Sequence, residues 1–151
     1  FSYYFKFDCF YGIIKERNER GTAMTSKMLH TCLRVENLEA SIAFYEEAFG
    51  FKELRRKDFP EHAFTIVYLG LDGDDYELEL TYNYDHGPYV IGDGFAHIAL
   101  STPDLEGLHA KHAAKGYEVT EPKGLPGNPP NYYFVKDPDG YKVEVIQEKS
   151  L

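Results

Sequence analysis

The sequence predicts an α+β fold built from two copies of one βαβββ module. Two observations support this prediction. A strand, a turn, an amphipathic helix, a glycine and a second strand follow one another twice along the chain, and each copy ends in two strand-like segments joined by a tight turn. The first copy begins LHTCLRVENLEASIAFYEEAFGFKELRR, and the second begins FAHIALSTPDLEGLHAKHAAKGYEVTEP. A chain of 151 residues with this repeat is long enough to form one compact unit with a hydrophobic core.

The repeat sets the predicted boundaries. The first module covers residues 24–83, and the second covers residues 95–151. Between them, residues 84–94 (YDHGPYVIGDG) form the predicted linker. Residues 1–23 precede the repeat as an appendage, and the sequence does not indicate its role. Its apolar stretch is interrupted by charged residues, which makes it a poor signal peptide.

The first helix has clear start and stop signals. Asn37 is the predicted N-cap, and Glu39 follows in the first turn, where the helix dipole favours an acidic side chain. Gly50 and Gly116 are predicted to end the two helices in the left-handed conformation. The apolar residues of the first helix recur at helical spacing, which predicts a face that packs in the core: Leu38, Ile42, Tyr45 and Phe49.

The turns between the last strands of each copy contain Gly and Asp. Asp72-Gly73-Asp74 joins HAFTIVYLGL to DYELELTYN, and Pro138-Asp139-Gly140 joins NYYFVKD to YKVEVIQE. Gly and Asp tolerate the positive φ angles that tight hairpins require. We interpret the segment Asp137-Pro138-Asp139-Gly140 as a hairpin turn and nothing more.

Two His–Glu pairs occupy matching positions in the two copies. Glu79 follows His30 by 49 residues, and Glu144 follows His97 by 47 residues. Because residues two apart share a face of a strand, each of these side chains faces away from the most apolar side of its strand. A single His or Glu on a strand is more often a solvated surface residue. Four at matched positions favour a site for nickel, cobalt, zinc, iron or manganese, which accept imidazole and carboxylate ligands.

Composition excludes several classes of partner. A formal net charge of −9 argues against nucleic acid and anionic membranes. The sequence contains no run of about 18 apolar residues that would span a bilayer. Cys9 and Cys32 alone give no disulfide framework, so a reducing, cytoplasmic location is predicted.

Five stretches carry a family resemblance: LHTCLRV, SIAFYEEAFGF, ELTYNY, HIAL and DPDGYKVEVI. Over about residues 28–149 the chain resembles glyoxalase I (lactoylglutathione lyase) of the vicinal-oxygen-chelate superfamily. DPDGY occurs throughout the superfamily, whereas the ordered set of two His and two Glu is specific to glyoxalase I. The resemblance implies a homodimer with active sites between subunits, in which one chain contributes His30 and Glu79 and the other contributes His97 and Glu144. A His as first ligand implies activation by nickel or cobalt, with zinc also possible.

The same resemblance implies an activity and residue roles. Glyoxalase I isomerises the hemithioacetal of methylglyoxal and a small thiol to an S-lactoyl thioester. Glu144 is implied as the main base, and Glu79 as the base for the opposite enantiomer. Arg34 and Asn83 match residues that hold the γ-glutamyl carboxylate of glutathione, and Lys123 lies in a loop that reaches the glycyl end. The matching pocket-wall positions are Phe59, Phe64, Ile66 and Tyr68.

One residue departs from the family pattern. Many eukaryotic members have an Arg where this chain has Asp93, in the stretch GDGFAHIA. An acid at that place repels an anionic tripeptide, so the thiol is left open between glutathione, another low-molecular-weight thiol and a less anionic glutathione conjugate.

Two other functions are compatible with this scaffold. One is a different metalloenzyme of the superfamily, namely an extradiol dioxygenase, an epimerase or a thiol transferase. The other is a non-enzymatic binding module, which has no need to retain four ligands. The set of Glu79, Arg34 and Asn83 favours glyoxalase I over the other metalloenzymes, and the presence of all four ligands favours it over a binding module.

Overall fold

The computed structural model describes residues 26–148, so the appendage predicted over residues 1–23 lies outside the described residues. In chain order the elements are β1 (His30–Arg34), α1 (Leu38–Phe49), β2 (Lys52–Phe59), a short 3₁₀ turn (Pro60–His62), β3 (Phe64–Gly70), β4 (Glu77–Asn83), β5 (Ile98–Thr102), α2 (Leu105–Ala114), β6 (Tyr132–Lys136) and β7 (Lys142–Gln147). Residues 84–94 contain no helix or strand. The limits of the two modules stay a prediction.

The strands form two sheets with related topology. The first sheet has the order β1-β4-β3-β2, and the second has the order β5-β7-β6. In both sheets the first strand of the module pairs in parallel with the last strand, and the neighbouring pairs are antiparallel. The predicted α+β class is therefore confirmed.

The second strand of the second module is shorter than the repeat predicts. It is reduced to two isolated bridges, Val119 with Val135 and Lys123 with Tyr132. Pro122 has no backbone N–H to donate to a ladder, and Gly124 weakens a strand because it has no side chain to pack. These two residues explain why a continuous strand does not form there.

The predicted ends of the first helix are confirmed. The Asn37 side-chain oxygen accepts a hydrogen bond from the Ala40 N–H at 3.0 Å. Gly50 ends α1 with φ of 77°, and Gly116 follows α2 with φ of 79°. Neither described helix is long and apolar enough to cross a bilayer.

Each helix covers one face of its sheet, and the opposite face stays open. The buried residues of α1 pack with alternating residues from β1, β3 and β4 in one hydrophobic core that continues into the second module. On β3 the alternation is regular, because Thr65, Val67 and Leu69 are buried toward the core while the residues between them are partly exposed. The open face of each sheet is the one on which the predicted ligands lie.

A buried histidine joins the two modules. His112 on α2 has 0% exposure, and its Nε2 lies 2.9 Å from the carbonyl oxygen of Ala48 at the end of α1. A carbonyl only accepts, so Nε2 carries the proton and Nδ1 accepts from the Tyr133 hydroxyl at 3.0 Å. Burial lowers the pKa of His112, which agrees with a neutral ring satisfied at both nitrogens.

The turn between β6 and β7 also joins the modules. The Asp139 carboxylate accepts from the Glu36 N–H at 2.8 Å and from the Ser41 hydroxyl at 3.2 Å. The Tyr45 hydroxyl donates to Asp137 at 2.9 Å. The interpretation of this segment as a hairpin turn and nothing more is therefore incomplete, because its two carboxylates bind residues about one hundred positions earlier in the chain.

The buried carboxyl of Asp137 predicts a pH-dependent stability. Burial raises its pKa to about 6, and the charge of Asp139 also raises it. Hydrogen bonds from Tyr45 and from backbone N–H groups lower the pKa but do not outweigh burial. The folded state then holds a proton that the unfolded state releases, so this contribution to stability is present below pH 3.8 and is lost as the pH rises through about 6. We expect Asp137 to lower the free energy of unfolding by roughly 3 kcal/mol across that range.

Urea unfolding of the protein and of Asp137→Asn at several pH values between about 3 and 7.5 measures this effect. The variant has no ionisable group at this place, so the difference between the two curves isolates Asp137 from all other titrating residues. Asp85→Asn replaces an exposed carboxyl and is the matched control. Parallel curves for the protein and Asp137→Asn would contradict the prediction.

Candidate active site

The first predicted ligand pair is brought together by the parallel pairing of β1 with β4. The register places Cys32 opposite Glu79, and His30 lies two residues before Cys32 on the same face of β1. The His30 Nε2 and the Glu79 carboxylate are 3.1 Å apart. The imidazole is about one-third exposed at the surface, whereas the carboxylate is largely buried.

The second pair repeats this geometry. Ala99 is opposite Glu144, and His97 lies two residues before Ala99. The His97 Nε2 and the Glu144 carboxylate are again 3.1 Å apart. An aromatic ring packs edge-on against each imidazole, with centroid separations of 5.5 Å for Tyr68 on His30 and 5.4 Å for Phe134 on His97.

The spacing within each pair fits adjacent ligands of one metal ion. Ligands about 2.0–2.2 Å from a metal and at right angles around it are about 3 Å from each other. The imidazole nitrogens and carboxylate oxygens also match the donor types that nickel, cobalt and zinc accept. The two pairs belong to different sheets, and within residues 26–148 no three His, Cys, Asp or Glu side chains come together as one potential metal site. One chain thus unites each His with its Glu, but does not unite the two pairs.

Polar side chains surround the Glu79 carboxylate. The Thr81 hydroxyl donates to it at 3.0 Å, and Cys32 on β1 and Tyr68 on β3 lie opposite Glu79 in the sheet. Burial raises the pKa of Glu79, but the polar groups of Tyr68, Cys32 and Thr81 and the charge of His30 outweigh burial, so that the pKa is lowered overall. The carboxylate is therefore kept ionised, as a metal ligand must be.

Residues beside the pair extend this network. Arg55 on β2 forms a bidentate pair with Glu77 at 2.5 and 2.6 Å, and its guanidinium lies 3.7 Å from the centre of the Tyr68 ring. Strand alternation already places Glu77 and Thr81 on the Glu79 face of β4, whereas sequence reasoning missed Arg55 as a neighbour of the site. The signal lies in strand register, since Arg55 is opposite Tyr68 and Tyr68 is opposite Glu79.

The predicted substrate-binding residues lie on the open face of the first sheet. Arg34 is exposed on β1, on the same face as His30. The Asn83 amide donates to the Tyr89 hydroxyl at 2.8 Å. Phe59 stacks on Phe64 at 4.6 Å between centroids. The register aligns three residues of β3 with the Glu79 face of β4: Phe64, Ile66 and Tyr68.

An open pocket of about 590 Å³ surrounds the second His. Asp93 lines it, and so do two lysines of the β6–β7 hairpin, Lys136 and Lys142. Lys136 also forms an ion pair with Glu118 at 2.5 Å. Lys123 lies apart from this lining and makes its bridge to Tyr132. The sequence analysis considered only the negative charge of Asp93, but in the structure two positively charged lysines line the same pocket.

Comparison with known proteins decides the family. Residues 27–145 match the Glyoxalase/Bleomycin resistance protein/Dioxygenase superfamily. The chain belongs to this superfamily. It is 44% identical to lactoylglutathione lyase GLX1 of Arabidopsis thaliana over 124 residues, which are 80% of this chain and 44% of that protein. It is 42% identical to the lactoylglutathione lyase of Neisseria meningitidis over 127 residues, which are 82% of this chain and 92% of the relative.

A solved structure supports the same family assignment. The trypanothione-dependent glyoxalase I of Leishmania major superposes with a TM-score of 0.73 at 37% identity, covering 82% of this chain and 88% of that one. These findings confirm the predicted resemblance to glyoxalase I. The chain spans less than half the length of the plant relative but nearly the whole length of the bacterial one.

Proposed function

We propose that this chain is a metal-dependent lactoylglutathione lyase that isomerises the hemithioacetal of methylglyoxal and a small thiol. The observation that carries the proposal is the pair of equivalent His–Glu half-sites, each with a separation of 3.1 Å. An extradiol dioxygenase uses three ligands, and a binding module needs none, so two complete pairs favour the lyase. The names of the relatives, lactoylglutathione lyase and glyoxalase I, support the same activity.

A homodimer would combine the two half-sites into complete metal sites. In a two-fold dimer, contacts are reciprocal. The dimer therefore has two equivalent interfaces, and at each one the first module of one chain faces the second module of its partner. Each interface then holds His30 and Glu79 from one chain with His97 and Glu144 from the other. This arrangement gives two four-ligand sites, and it accounts for the open ligand-bearing face of each sheet.

The four ligands would hold one divalent ion, which we propose to be nickel or cobalt, with zinc as the alternative. When bound, the ion stabilises the negative charge that develops on the substrate oxygens. As ligands, the two carboxylates would supply negative charge, and each imidazole would donate a nitrogen lone pair.

Proton transfer falls to the carboxylates. The proton leaves the carbon that bears sulfur and returns to the neighbouring carbon, which converts the hemithioacetal to the 2-hydroxyacyl thioester. We assign Glu144 as the main base, and Glu79 as the base for the opposite enantiomer. Positioned general bases contribute about 10²–10⁴-fold to turnover.

Thiol recognition is proposed for the polar residues of the open faces. Arg34, with its planar fork of N–H donors, suits a carboxylate, and Asn83 lies at the end of β4 beyond Glu79. The stacked Phe59 and Phe64, with Ile66 and Tyr68, would line the apolar pocket for the methyl group of methylglyoxal. A reducing, cytoplasmic location would keep such a thiol available.

The glycyl carboxylate of glutathione distinguishes the candidate thiols. Asp93 disfavours an anion there, whereas Lys142 and Lys136 in the same pocket favour one. One relative is named for trypanothione rather than glutathione, so members of this family differ in their thiol. We propose glutathione as the substrate thiol, with a conjugate whose glycyl carboxylate is blocked as the alternative.

Reconstitution tests the proposal. Metal-depleted protein is loaded separately with nickel, cobalt and zinc, and thioester formation is followed with methylglyoxal and either glutathione or its glycyl amide. We expect turnover with nickel and cobalt above that with zinc, and none in the depleted protein. A preference for the amide would assign Asp93 to the thiol site. Failure to form thioester with every metal and thiol would reject the proposal, and cleavage of a catechol ring would favour a dioxygenase.

A further inference from the structure

The two ligand carboxylates lie in contrasting surroundings although their backbones are equivalent. On the neighbouring strands, Cys32 and Tyr68 are opposite Glu79, and Thr81 lies two residues after it. All three carry a hydrogen-bond donor, and Thr81 reaches the carboxylate at 3.0 Å.

At Glu144 the equivalent positions are apolar. Ala99 and Phe134 are opposite Glu144, and Ile146 lies two residues after it. Each donor of the first module is thus replaced by a hydrocarbon side chain in the second. Since the backbone register is the same, the difference between the two carboxylates comes from these three side chains.

The first module also holds its donors in place. Arg55 stacks on the Tyr68 ring at 3.7 Å and is itself fixed by its bidentate pair with Glu77. The Thr81 hydroxyl lies 3.4 Å from the Cys32 sulfur. In the second module Lys142 takes the place of Glu77, because it precedes Glu144 by two residues as Glu77 precedes Glu79.

We propose that Tyr68 and Thr81 are positioning residues that fix Glu79 in one orientation, whereas Glu144 among apolar side chains is free to move toward the substrate. The inference rests on the proposed function and adds a physical reason for an unequal division of work between the carboxylates. A carboxylate that must accept a proton from carbon needs freedom to change its position. One that only binds the ion benefits from a fixed geometry, because outer hydrogen bonds orient metal ligands.

Substitutions that exchange the two surroundings test the inference. Tyr68→Phe and Thr81→Val remove only hydroxyl groups, and Phe134→Tyr supplies one beside Glu144. We expect Tyr68→Phe with Thr81→Val to weaken Co²⁺ affinity about 10–100-fold and to change the visible absorption of bound Co²⁺. Phe134→Tyr should retain Co²⁺ and lower kcat. Tyr82→Phe removes a hydroxyl from the opposite face of β4 and is the matched control, which should change neither quantity.

A second experiment uses the Glu144→Gln variant. In this variant Glu79 is the only carboxylate left in the two His–Glu pairs. Releasing Glu79 by Tyr68→Phe and Thr81→Val should raise the residual turnover of Glu144→Gln several-fold at saturating Co²⁺. Unchanged Co²⁺ affinity and absorption in Tyr68→Phe with Thr81→Val would overturn the inference, and so would a further loss of turnover at saturation in the Glu144→Gln background. A protein that binds Co²⁺ but does not isomerise the hemithioacetal would overturn the proposed function alone, because the Co²⁺ measurements need no substrate.

Discussion

Replacing Glu144 with glutamine is expected to lower kcat by about 10²–10⁴-fold, the contribution of a positioned general base. Glutamine has nearly the same shape and keeps a carbonyl oxygen, so the half-site with His97 loses little of its geometry. It cannot accept a proton from carbon, and turnover falls for that reason. The loss should appear in kcat at saturating metal.

The comparison with Glu79→Gln makes this prediction sharper. The carboxylate of Glu79 accepts a hydrogen bond from Thr81 at 3.0 Å, so its replacement should mainly weaken metal binding and should lower kcat less at saturation. Isothermal titration with Co²⁺ and steady-state kinetics on both variants separate the two effects. Glu148→Gln, which changes an exposed glutamate just after β7, is the control. Near-native turnover of Glu144→Gln would remove Glu144 from the role of base.

The sequence alone predicted the parts of the structure that depend on local pattern. Strand alternation placed His30 and Glu79 away from the apolar side of their strands, and the parallel pairing of β1 with β4 brings them to 3.1 Å. The Asn37 cap and the Gly50 stop followed from the preferences of single residues for one backbone conformation. Local chemistry determines these features, so they can be predicted without knowing how distant segments pair.

Features that depend on register between distant strands could not be predicted. Tyr68 was expected as a pocket-wall residue, and its contact with Glu79 follows only once β3 is aligned with β4. The binding of Asp139 to Glu36 joins residues 103 positions apart, and nothing local to the turn indicates it. The second strand of the second module was expected from the repeat, but Pro122 and Gly124 reduce it to bridges. Similarity between the two repeats predicts the backbone that they share. It does not predict the side-chain differences that give the two modules different roles.

Subunit exchange between two inactive variants should restore activity if the sites are shared. One variant carries His30→Ala and Glu79→Gln, so its first module is inactive, and the other carries His97→Ala and Glu144→Gln. In a heterodimer, one interface combines both damaged modules, and the other combines both intact modules. Random exchange of equal amounts gives half heterodimers, each with one complete site, so about one quarter of wild-type activity should return.

This recovery depends on the pairs coming from different chains. If each chain formed its own site, every site in the mixture would lack one His–Glu pair, and activity would stay at the level of the separate variants. Exchange is verified independently by mass spectrometry of differently tagged chains. The four-ligand sites of the mixture should bind about one quarter of the metal that the wild-type protein binds, because half of the dimers are heterodimers and each has one intact interface. Proven exchange with no return of either metal or turnover would place the site within one chain. Each His–Glu pair, with its 3.1 Å separation, would then need other groups to complete the coordination of its metal ion.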